Sequence, residues 1–121
     1  MNSVPVPALP DDIGIPAQAH GWTHEESVHA RDSSGYTYPV HAFVRGSERV
    51  RDDEHALRKK WPAKALFLGG PHDTSTESNS PLAARVAFDV DGLESNYVRT
   101  DEIHEVGPHG EKGPFVVYRP A

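Results

Sequence analysis

The sequence predicts an α+β fold, an antiparallel β-sheet of about five to six strands with one helix at about 48–61 packed on it. Three observations carry this expectation. Short runs of strand formers alternate apolar and polar residues between turn clusters rich in Gly, Asp and Pro. One segment combines helical spacing of apolar residues with the charge order that a helix favours. The chain has 121 residues, enough to bury one core without disulfides, which zero cysteines rule out.

Residues 1–21 read as an extended Pro-rich arm outside a single domain at 22–121. Prolines at 5, 7, 10 and 16 favour extended backbone and oppose a regular helix. Between them, Val4, Val6, Leu9, Ile13 and Ile15 supply an apolar edge that can lie against a domain or another subunit. Next comes a hairpin, with the turn cluster Asp32-Ser33-Ser34-Gly35 ahead of a strand that places Tyr36, Tyr38, Val40, Ala42 and Val44 on one face. Pro39 has no amide hydrogen, so this strand should be an edge or be bulged there. A competing capping box at Thr23-His24-Glu25-Glu26 lacks apolar follow-through.

The helix at 48–61 rests on Val50, Leu57 and Trp61 forming one stripe, on Asp52, Asp53 and Glu54 near its start, and on Arg58, Lys59 and Lys60 near its end. Pro62 stops it. Strands are expected at 65–68, 84–90, 97–103 and 115–118, with a tight turn at Asp91-Gly92. A Ser/Thr-rich loop runs from Pro71 to Pro81. Gly70-Pro71-His72 is echoed by Gly107-Pro108-His109; if the preceding strands are neighbours, both histidines sit at one end of the sheet.

Net charge is −6 and unevenly spread. Residues 45–64 carry seven basic against four acidic residues, whereas the flanking segments are acidic. Acidic balance disfavours general phosphate binding, so nucleic acid is second in line and would use Arg58, Lys59 and Lys60. A hydrophobic content of 36% and a mean hydropathy of −0.60 imply a small core. No run approaches the ~20 apolar residues that span a bilayer, and the N-terminus lacks a signal peptide's basic start and apolar run. The expectation is a soluble protein without membrane contact, cytoplasmic or, for a virion component, in the assembled particle.

Eight histidines are the unusual feature. His20 and His24 have the i, i+4 spacing of zinc ligands, but no His-Glu-x-x-His pattern accompanies them, so a metal is the weaker alternative to a solvated pair. His72, Arg85, Arg99, His104 and His109 offer the base and cation types of a metal-independent ribonuclease. A helix followed by four strands is also similar in order to small bacterial ribonuclease toxins, though no motif is shared. No cofactor is expected: Gly69-Gly70-Pro71 lacks the Gly-Lys-Ser/Thr of a phosphate loop, and Asp89-Val90-Asp91-Gly92 lacks the rest of a calcium loop.

Without a catalytic signature, the expected function is non-enzymatic: a protein-interaction or structural accessory module, either self-assembling or inhibiting a basic partner. Its contact residues would be Val4, Val6, Leu9, Ile13, Ile15, Trp22, Tyr36 and Tyr38, with the 71–81 loop as a further surface. The alternative is the ribonuclease-like enzyme.

Overall fold

The computed structural model describes residues 5–121, so Val4 of the expected arm lies outside the described residues. The architecture is α+β, with two sheets of mostly antiparallel strands and two short helices in place of the single sheet and single helix expected. The chain divides into two compact units, residues 1–61 and 62–121.

The first unit begins with helix α1, Asp11–Ala19, where the sequence led us to expect extended arm. The prolines misled because their cost was set against no gain. Pro16 removes a single backbone bond in the second turn, while Ile13, Pro16 and Ala17 form an i, i+3, i+4 stripe that is buried. Asp11 and Asp12 in the first turn suit the helix dipole. Burial of this face outweighs the propensity that the sequence reading weighed alone.

Strands β1 (Thr23–Arg31), β2 (Thr37–Arg45) and β3 (Glu48–Asp53) form an antiparallel sheet in that order. The β1–β2 hairpin turns where expected: Asp32 Oδ1 accepts hydrogen bonds from Ser34 N at 2.9 Å, Ser34 Oγ at 2.6 Å and Tyr36 N at 3.0 Å. These bonds, the Ser34 hydroxyl first, hold the Asp32 carboxyl below its ordinary value. Contrary to the expectation from Pro39, β2 is the central strand, and the irregularity in its pairing falls at His24/Glu26. Pro39 is tolerated because pairing with β3 starts only at Val40↔Asp53, which leaves β2 flanked on one side there.

The expected helix at 48–61 is half strand. Residues 48–53 pair with β2, and only helix α2, Glu54–Lys60, is helical. Asp53 caps it, accepting from Ala56 N at 2.8 Å, and Arg58, Lys59 and Lys60 fill the last turn. Val50, Leu57 and Trp61 do reach one core, but Val50 reaches it from a strand opposite Phe43. That core joins Ile13, Ala17, Trp22, Phe43, Leu57 and Trp61. Phe43 meets Trp61 edge-on at 5.0 Å between ring centroids, a favourable aromatic geometry.

The second unit is a five-stranded sheet ordered β5-β4-β8-β7-β6, with β4 (Lys64–Phe67), β5 (Thr76–Ser78), β6 (Arg85–Val90), β7 (Leu93–Val106) and β8 (Lys112–Pro120). All pairs are antiparallel except β4–β8. The four expected strands are present, and the 71–81 loop contributes β5 as an edge. Asp91 and Gly92 both take positive φ (54° and 78°), as a two-residue hairpin turn requires. One face carries the rings of Phe67, Phe88 and Tyr97, with centroids 5.1–5.7 Å apart. Leu66, Phe115 and Val117 form the other cluster.

Tyr97 ties this unit's longest loop down. Its hydroxyl donates to Gly69 O and accepts from His72 N, both at 2.8 Å. A Cβ on Gly70 would stand 2.8 Å from that hydroxyl, and φ there is +66°, so only glycine fits. Among the described residues, no helix is long and apolar enough to cross a membrane.

Candidate functional site

The hairpin pairing of β1 with β2 builds a polar chain that runs into the core of the first unit. Ser27 and His41 are direct register partners, so their side chains leave the same face. Ser27 Oγ stands 2.6 Å from His41 Nδ1 and 2.8 Å from His24 Nε2. On the far side, His41 Nε2 stands 2.7 Å from Glu54 Oε2 on the first turn of α2. His41 is 0% exposed and Ser27 7%.

Chemistry fixes the direction of the bonds. A carboxylate only accepts, so His41 Nε2 carries the hydrogen toward Glu54. In that tautomer the lone pair lies at Nδ1, the nitrogen 2.6 Å from Ser27 Oγ, where it accepts the hydroxyl proton. Ser27 Oγ in turn accepts from His24 Nε2–H. Glu54 is steadied from behind: its second oxygen lies 3.7 Å from Arg58 Nη1, and Arg58 Nε donates to Asp12 Oδ2 at 2.8 Å. That hydrogen bond to Asp12 is the main reason the Arg58 guanidinium holds its proton above the ordinary value.

Ser27 also lines a groove of about 540 Å³, roofed by Pro5, Val6 and Pro7 and floored by β1 with Thr37 of β2. The roof is fixed at one point, where Pro5 O accepts from His29 Nε2 at 3.1 Å. Val6 is 75% exposed.

The residues expected to make contacts separate into two groups. Ile13 and Trp22 are buried in the core, and Leu9 packs against it. Ile15 and Tyr38 are half-buried, whereas Val6 and Tyr36 remain outward. His20 ends α1 and His24 lies on β1, so the helical spacing that suggested a metal pair does not form. Among the described residues, no group of three or more His, Asp or Glu side chains is placed to hold a metal ion.

The ribonuclease set does not converge. His72 stacks on Phe88 at 4.3 Å, and its Nε2 is buried without a hydrogen-bond partner among the described residues. Arg85 is exposed on edge strand β6. Arg99 donates to Leu82 O. His104 bonds Glu102 at 2.8 Å and pairs with Phe115, while His109 lies in the exposed β7–β8 turn. Because β8 separates β4 from β7, and β7 runs against both, the two Gly-Pro-His segments follow strands that end at opposite ends of the sheet. The expectation of two histidines at one end is therefore corrected.

For nucleic acid, Arg58 is already engaged by Asp12 and Glu54, while Lys59 and Lys60 are exposed. Lys60 lines a second depression with Arg45 and Arg49, but these arginines face Glu48 at 3.4 Å and Glu25 at 2.8 Å.

Sequence reasoning missed Ser27, His41 and Glu54. The turn cluster Asp32–Gly35 comes within one residue of it, since counting outward equally puts Ser27 opposite Val40, but the observed register, centred on Ser34, puts it opposite His41. Nothing comparable marks Glu54, which the fold brings in from a different element. Comparison of the chain with protein-family models, curated proteins and solved structures finds no match.

Proposed function

We propose that the chain acts by binding, as a protein-interaction module whose N-terminal segment makes the contact, with a second copy of the chain as its partner. One observation supports this above the others. Val6 is 75% exposed on a Pro-punctuated segment that leaves a groove beside β1, an edge strand. An extended apolar segment beside a free strand edge suits exchange between copies, since the same pieces can pair within or between chains.

The fold sharpens the test. Removing all of residues 2–20 would take Ile13 and Ala17 from the core, so the informative deletion is 2–7, which spares Leu9 and α1. Light scattering across about 0.1–10 μM brackets micromolar self-association. The full chain should gain mass with concentration, and both the deletion and Val6→Asp should remain at the mass of one chain. A single-chain mass for the intact protein throughout sinks the reading.

A further inference from the structure

We propose that Ser27 is an activated nucleophile that takes an acyl group from small esters, with His41 as its base and Glu54 positioning that base. Serine, imidazole and carboxylate stand in hydrogen-bonded sequence at 2.6 and 2.7 Å. The carboxylate sets the tautomer that leaves a lone pair aimed at the hydroxyl. Such a constellation is recognised by roles and geometry rather than by chain order or fold, and here the two ring nitrogens are exchanged relative to the familiar protease arrangement.

Burial supplies the second half of the argument. His41 is enclosed while the Ser27–Nδ1 bond is made, and Ser27 lines the groove through which ester and water reach that bond. A groove of about 540 Å³ is within the size range of small-molecule sites. Its roof of Pro5, Val6 and Pro7 suits a short apolar acyl chain. The charged and titratable groups facing the pair are His24 on β1, Glu54 with Arg58 behind it on α2, and His29 and Arg31 of β1, which line the groove with Ser27.

The reaction balances without any further reactant but water. Ser27 Oγ attacks the ester carbonyl carbon as its proton passes to His41 Nδ1. The carbon–oxygen bond to the alcohol breaks, and that alcohol leaves with the proton from Nδ1. The acyl group is now on Ser27. Water attacks it, giving a proton to the same nitrogen; the acid departs and the proton returns to Ser27 Oγ. His24 Nε2–H must release Oγ for the attack, so its bond at 2.8 Å is a restraint on the nucleophile.

The test uses the full-length chain, a fluorophosphonate probe and p-nitrophenyl butyrate. Mass spectrometry should find one adduct, on Ser27, and Ser27→Ala should lack it while keeping the circular dichroism spectrum. Glu54→Gln should slow labelling by about 10⁴-fold, the scale set by loss of the orienting carboxylate in such triads. It should also move the labelling rate's pH profile to lower pH, because the imidazolium loses its counter-charge. A merely structural carboxylate would reduce the amplitude without moving the profile. Glu54→Asp should restore part of the rate. Absence of an adduct on Ser27, or an adduct whose rate and profile Glu54→Gln leaves alone, overturns the proposal. Ser27→Ala separates this from self-association, since it removes the nucleophile and the adduct but leaves Pro5, Val6 and Pro7, and with them any concentration-dependent gain in mass, untouched.

Discussion

The two units face the same difficulty, a small sheet with polar groups that must be buried, and answer it with different chemistry. In the first, helices cover the sheet and the buried polar groups are titratable: His41 between Ser27 and Glu54. In the second, the covering layer is aromatic, and the buried hydroxyls of Tyr97 and Tyr118 bond backbone carbonyls of Gly69 and Ala83. The Ser27–His41–Glu54 chain and the two tyrosines follow the rule that buried polar groups need partners, whereas the buried His72 Nε2 of the second unit has none among the described residues. Only the first does so with an imidazole bonded at both ring nitrogens. The second gains rigidity in its loops, which the tyrosine hydroxyls tie to the sheet.

The largest test of this contrast removes one ring from each unit. Phe43→Ala and Phe67→Ala each delete a buried ring, and each should cost about 3–5 kcal/mol. Both tryptophans, Trp22 and Trp61, lie in the first unit, so tryptophan fluorescence should register unfolding there. Phe43→Ala should lower that transition, and Phe67→Ala should appear chiefly as lost amide protection in β4, β7 and β8. Equal loss of protection in both units from either change would erase the distinction.

A smaller effect is expected from Tyr97→Phe, which keeps the ring but strands Gly69 O and His72 N. The cost should be about 1–3 kcal/mol, with amide exchange accelerating around residues 69–75. Because both partners that lose a bond, Gly69 O and His72 N, are backbone groups, the loss should be constant between about pH 5 and 8. A loss that varies with pH there would show that the buried His72 ring beside Tyr97 is coupled to these bonds.

The smallest effect concerns an exposed site. Glu102 is held below the ordinary carboxylate range, first by its hydrogen bond to His104 and then by Arg119. A carboxyl whose value is lower folded than unfolded adds stability above the unfolded value, and that stability is lost as pH falls through the folded one. Glu102→Gln should therefore flatten the acid-side loss of β7–β8 amide protection measured from pH 7 down to pH 3. An unchanged slope would show that this exposed cluster is energetically idle, as many surface pairs are.

Much of the fold was legible because local signals and the final structure agree. The Asp32–Gly35 turn, the Asp91-Gly92 hairpin and the strands at 65–68, 84–90, 97–103 and 115–118 follow from alternation and turn chemistry, which act over a few residues. The errors share one cause. At 11–19 and 48–53, local preference was weak or adverse, and burial against elements distant in sequence decided the outcome.

The sequence by itself determined the class, the second strand of the first hairpin and the strands at 65–68, 84–90, 97–103 and 115–118, the turns, the Asp53–Lys60 charge order and the core membership of Val50, Leu57 and Trp61. Only the tertiary structure decided that the strands form two sheets, that Pro16 sits inside a helix, and that His41 meets Ser27 and Glu54 while His72 and His104 stay apart. Backbone preferences and turn residues act between neighbours in the chain and can be read there. Register, sheet order and the meeting of side chains from separate elements depend on which apolar faces find each other, and that is set by packing.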